Sequence, residues 1–89
     1  MSETKTNRTV MAILVDHRKE AATNVQKILT GWGCLIKTRL GLHDGVLDNC
    51  SESGLIILEL LGDPSQHEEL QRKLNLLQGV HAGLMKLSV

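Results

Sequence analysis

Apolar and polar positions along the 89-residue chain run through the same order twice. A near-continuous apolar run, Val10-Met-Ala-Ile-Leu-Val15, leads into Ala21, Ala22, Val25, Ile28, Leu29 and Trp32 at helical spacing, then Gly31 and Gly33, then Cys34 to Leu40. The second round is Leu55-Ile-Ile-Leu-Glu-Leu-Leu61, then Leu70, Leu74 and Leu77 at helical spacing, Gly79, and Val80 to Leu87. Period-two and continuous apolar runs indicate strands, and apolar residues three and four apart indicate one face of a helix. The first helix is expected to open after Asp16 or His17 and to end at its glycines, which tolerate the left-handed cap. Asp63-Pro64 marks the start of the second, with proline at the first helical position. Two split strand-helix-strand units predict an α+β, ferredoxin-like βαββαβ sandwich: a four-stranded antiparallel sheet with two helices on one face. Residues 8–89 are read as a single domain and residues 1–7 as a disordered N-terminal tail.

In this topology strands one and three are central, which fits their hydrophobicity. Strand three is apolar on both sides. If Ile56, Leu58 and Leu60 face the helices, Leu55, Ile57 and Leu61 point to the uncovered side of the sheet. A bare apolar face of that kind marks an interaction surface. The expected partner is a second copy of the chain, in a dimer or tetramer, with Leu55, Ile57 and Leu61 in the interface.

Composition narrows the functional classes. Lysine plus arginine and aspartate plus glutamate both total 10, so no bulk field attracts nucleic acid or an anionic membrane. Trp32 is the single aromatic residue, which removes the stacking platforms that sheet-surface RNA binders need. No apolar run approaches the roughly 20 residues of a membrane helix, and a cytoplasmic location is expected. Cys34 and Cys50 show no CxxC spacing, so free thiols are expected, and a soft-metal carrier is not.

Connectivity collects the candidate chemistry at one end of the sheet, where strands one and two finish and strands three and four begin. Asp16, His17, Arg39, Gly41 and His43 are the candidate small-ligand residues there, beside the N-terminus of the first helix and its partial positive charge. Gly41 is read as a bulge or close approach, or else as an ordinary turn, and Arg39 as a carboxylate clamp or a solvated residue. A metal reading groups His17, His43 and His81 with Asp44 or Cys50 as a fourth ligand, although their spacing matches no metal motif. No nucleophile has a base near it in sequence and no paired acids are visible, so a non-enzymatic protein without a cofactor is expected.

The strand Val10 to Asp16 leading straight to a helix, Arg39-Leu-Gly-Leu42 and Gly54-Leu-Ile-Ile-Leu-Glu-Leu-Leu61, followed by Leu74 and Gly79-Val80, resemble the ACT-like family of iron-only hydrogenase system regulators. The resemblance covers about Arg8 to Leu87 and also points toward the ligand-binding domain of the nickel-responsive regulator. It implies a non-catalytic ACT-like domain that oligomerises and senses a small molecule near the loop from strand one to helix one. In that loop, Asp16-His-Arg-Lys19 replaces the glycine-rich segment of amino-acid-binding members. The functional expectation is therefore a regulatory homo-oligomer. A nickel-regulator-like metal module and a purely structural oligomerisation module are the alternatives.

Overall fold

A computed structural model describes residues 6–16, 19–43 and 54–89, with Lys19, Leu42 and His43 described by their backbone. Its elements are β1 (Asn7–Val15), α1 (Lys19–Gly31), β2 (Ile36–His43), β3 (Gly54–Leu60), α2 (Pro64–Asn75) and β4 (Val80–Ser88). The four strands form one antiparallel sheet in the order β2-β3-β1-β4, so the two most apolar strands occupy its centre. This is the ferredoxin-like βαββαβ arrangement. Among the described residues no helix is long and apolar enough to cross a membrane.

Residue parity along the strands decides what is buried. Met11, Ile13 and Val15 of β1, Leu58 and Leu60 of β3 and Ala82 of β4 are buried with Ala21, Val25 and Leu29 of α1 and with Leu70 and Leu74 of α2. Ile28, Trp32, Ile36, Ile56, Leu77, Val80 and Leu84 pack around that core. Both helices therefore cover the same face, and each fully buried leucine or isoleucine stabilises it by about 1.5–3 kcal/mol relative to exposure.

Element boundaries depart from the sequence expectation in three places. Cys34 and Leu35 belong to a short 3-10 turn, Gly33–Leu35, and β2 starts at Ile36 with a register irregularity between Ile36 and Thr38. Gly41 is thus not the bulge: it pairs regularly with Ile56, and a Cβ built on it would meet nothing within 4 Å. At the N-terminus, Asn7 pairs with Ser88, and Thr6 exchanges backbone hydrogen bonds with Val89 at 3.2 and 3.0 Å. The sheet therefore begins inside the stretch expected to be tail.

Two tight corners hold the second half together. Gly62 has φ of 97°, and a Cβ there would stand 2.6 Å from Gln66 Oε1 and 2.9 Å from Leu35 Cδ2. Gln66 Oε1 in turn accepts the Asp63 N–H at 2.9 Å, closing the first turn of α2. On the far side of α2, the Asn75 amide exchanges two hydrogen bonds with the backbone of Ala82, at 3.1 and 2.8 Å, and Gln71 donates to the Ala82 carbonyl at 3.0 Å. These side chains occupy outward backbone groups of the edge strand β4.

Candidate functional site

The end of the sheet where β1 finishes is built around Asp16. Its N–H donates to the Gly79 carbonyl at 2.9 Å, pinning the exit of β1 to the turn that precedes β4. The half-buried Asp16 carboxylate lies directly over Gly79, where a Cβ would approach its oxygens to 2.5 and 2.6 Å. Gly79 also has φ of 80°, a region that glycine enters at no steric cost. Two constraints therefore require glycine here, and the reward is a carboxylate fixed at the sheet's end.

The other predicted ligand residues spread out from this point. Gly54, Val15 and Val80 share a row with His43, so the backbones of Asp16 and His43 do lie at the same end. His17, Asp44 and Cys50 lie outside the described residues. Arg39 is opposite Leu58, in the row of Met11 and Leu84, and four residues of strand, about 13 Å, separate it from His43. Its guanidinium donates to Gln26 of α1. Arg39 thus ties an edge strand to a helix in mid-sheet and does not join Asp16, which corrects the expected grouping. Gly41 lies between them along β2.

The expected convergence of His17, His43 and His81 also needs correction. His43 is on edge strand β2 and exposed His81 on edge strand β4, with β3 and β1 between them. Three inter-strand spacings, about 14 Å, separate their backbones. At bonds of about 2 Å the two imidazoles of one copy do not reach a common ion. Among the described residues no three histidine, cysteine, aspartate or glutamate side chains are close enough to hold a metal.

The uncovered side of the sheet is apolar across all four strands. Leu40 of β2, Leu55, Ile57 and Leu61 at β3, Val10, Ala12 and Leu14 of β1, and Met85 and Leu87 of β4 share this parity. Leu14, Leu40, Leu61, Met85 and Leu87 are 48–59% exposed, so the chain itself leaves them without cover. Leu55 and Ile57 are half-buried. Among the described residues one charged pair crosses the face: Arg8 forks onto Glu59, with Nη2 to Oε1 at 3.1 Å and a second bond from Nε. That hydrogen bond, ahead of Coulombic attraction from Arg8 and Lys37 and against a burial effect, holds the Glu59 carboxyl below its ordinary range and pushes the Arg8 guanidinium up.

His67 is not among the candidate residues read from the sequence. It is buried, at 3% exposure, and its Nε2 is 2.8 Å from the Leu61 carbonyl oxygen. The signal was available, because His67 precedes Leu70 by three and Leu74 by seven, which puts it on the buried stripe of α2.

No protein-family model and no curated protein sequence matches the chain. Solved structures do. An uncharacterized protein from Thermotoga maritima superposes with a TM-score of 0.77 at 25% identity, over 94% of this chain and 99% of that one. A nitrogen regulatory PII-like protein from Thiomonas intermedia K12, bound to ADP, AMP and acetate, has a TM-score of 0.59 at 10% identity, over 98% and 92%. The C-terminal domain of the MgtC protein from Mycobacterium tuberculosis gives 0.60 at 16% identity, over 99% and 94%. At the low identities of the last two, the likeness is one of fold.

Proposed function

We propose that this chain is a non-catalytic regulatory module of ACT-like type that works as a homo-oligomer and responds to a small ligand near Asp16. The observation that carries the reading is the open apolar face. Its side chains span about 15 Å across the strands and 20 Å along them, roughly 300 Å², the size at which an exposed patch is commonly functional. A second copy is the favoured occupant because the face is apolar and the Arg8–Glu59 pair on it is internally neutralised. Edge pairing through β4 is opposed by Asn75 and Gln71, which already hold the outward groups of Ala82.

The ligand half of the reading rests on Asp16, a carboxylate held against a backbone corner, with His17 next in sequence and His43 across the same end. Similarity of fold to a PII-like protein bound to ADP and AMP supports testing nucleotides first. The sequence resemblance extends the reading to regulation of the iron-only hydrogenase system. A ligand would act by binding one assembly state more tightly than another.

Size-exclusion chromatography with light scattering tests the assembly. A dimer or tetramer at micromolar concentration is expected for the native chain, and a folded monomer for Ile57→Glu. A monomeric native chain overturns the reading.

A further inference from the structure

We propose that two copies of the chain stack open face to open face about a two-fold axis parallel to the strands, with Leu40 and Ile57 of each filling the hollow over Gly83 and Ala12 of the other. This geometry deepens the self-association proposed above and rests on it. One row of the sheet points to it. Leu40 pairs with Ile57, Ile57 with Ala12 and Ala12 with Gly83, so the row crosses all four strands on the open side. Its order is large, large, small, small.

Nothing within its own copy calls for glycine at position 83. The φ of Gly83 is not in the left-handed region, its pairing with Ala12 is regular, and a Cβ built on it would meet nothing within 4 Å. Glycine inside a strand gives up side-chain packing, and it commonly marks a bulge or the close approach of another group. Regular register removes the bulge, and the open space removes an approach from within the copy. What remains is an approach from outside.

A second copy has the matching shape. A half-turn about an axis that runs along the strands, between β3 and β1, exchanges β2 with β4 and β3 with β1. Leu40 then meets the partner's Gly83, and Ile57 meets the partner's Ala12. The contact is isologous, so each knob and each hollow occurs twice. Strand directions stay aligned, as in sandwiches of sheets packed about 10 Å apart. In the row nearer Asp16, Leu55 meets the partner's Leu14. Glu59 and Arg8 fall in the two rows on the other side, where the Arg8 side chain is 53% exposed and the pair stays at the rim. A half-turn about an axis across the strands would instead set Ile57 on the partner's Glu59, an apolar group on a charge. The axis along the strands also brings both Asp16 ends to one end of the pair.

Leu40 and Gly83 occupy opposite edges of a single copy, three strand spacings or about 14 Å apart, so substitutions at the two act independently unless copies meet. Sedimentation equilibrium of the full-length chain compares Gly83→Val, Leu40→Ala and the double variant. Gly83→Val adds apolar surface into space that is open within the copy, yet it is expected to weaken association about a hundredfold, because the overpacked contact occurs twice. Leu40→Ala alone is expected to weaken it about tenfold. The double variant is expected to associate about tenfold more tightly than Gly83→Val, since the shortened side chain makes room for the valine. In the native chain, mixing ¹³C-labelled and unlabelled copies is expected to give an isotope-filtered NOE between the Ile57 methyls of one and the Ala12 methyl of the other, a readout independent of how the variants fold. A monomeric native chain overturns the self-association itself. Where the native chain does associate, this geometry alone is overturned if Gly83→Val associates as tightly as the native chain or more tightly, if the two substitutions simply add, or if the NOE is absent.

Discussion

Gly79 and Asp16 show how one position without a side chain sets another. Replacing Gly79 by alanine adds a Cβ against the Asp16 carboxylate and forces a left-handed φ on a residue that resists it. The expected loss is about 1–3 kcal/mol in chemical denaturation. Gly79→Ala with Asp16→Ala recovers the steric part and leaves the backbone part, so a double-mutant cycle separates the two. Glu59 makes a prediction in pH. Its folded pKa lies below its unfolded one, so the Arg8 pair favours the folded state above the ordinary glutamate range, near pH 4. As pH falls through the lowered folded value, that contribution disappears. In Glu59→Gln this part of the acid dependence is absent, which stability measured between pH 7 and pH 2 checks. Asp16 was visible in the sequence as the residue after a strand. Its contact with Gly79 was not, because the two are far apart in the chain and only the pairing of β1 with β4 closes the gap.

Strands and helices were legible where an apolar stripe continued for two turns or more, and their ends were not. Cys34 and Leu35 read as strand because a short apolar stretch after glycine looks the same whether it is extended or wound into a 3-10 turn. The Leu61 N–H bonds the Leu35 carbonyl at 2.7 Å, a tertiary contact that fixes the local choice. The link between α2 and β4 is equally invisible in sequence, since asparagine late in a helix ordinarily signals only its end. Asn75→Leu removes two bonds to Ala82 and leaves its N–H without that partner. We expect a loss of about 1–3 kcal/mol. The same variant uncovers part of the β4 edge, so it also aggregates faster on standing, which light scattering follows.

At the scale of the molecule, the two faces of one sheet predict two different responses to substitution. Leu58→Ala empties a site at 0% exposure under the helices and costs about 2–5 kcal/mol at any protein concentration. Its neighbour Ile57 points the other way. Ile57→Glu changes the intrinsic stability of a copy much less and removes the concentration dependence of the melting temperature that an oligomer shows. Melting curves over a hundredfold range of concentration distinguish the two substitutions. A concentration-independent native chain would rule out the open face as a self-association surface.

What the sequence determined by itself is the architecture, because burial is a local property: alternation and helical spacing state which side of each element must leave water, and two such rounds admit few ways of doing so. The two-sided strand β3 carried the open apolar face in the same pattern. The tertiary structure alone decided which chemistry meets. It drew Asp16 onto Gly79, turned Arg39 to Gln26 in mid-sheet, set His43 and His81 on opposite edges, and buried His67 with an unsatisfied nitrogen. The reason is that strand register fixes distances between residues far apart in the chain, and register is set by the sum of packing over the whole sheet.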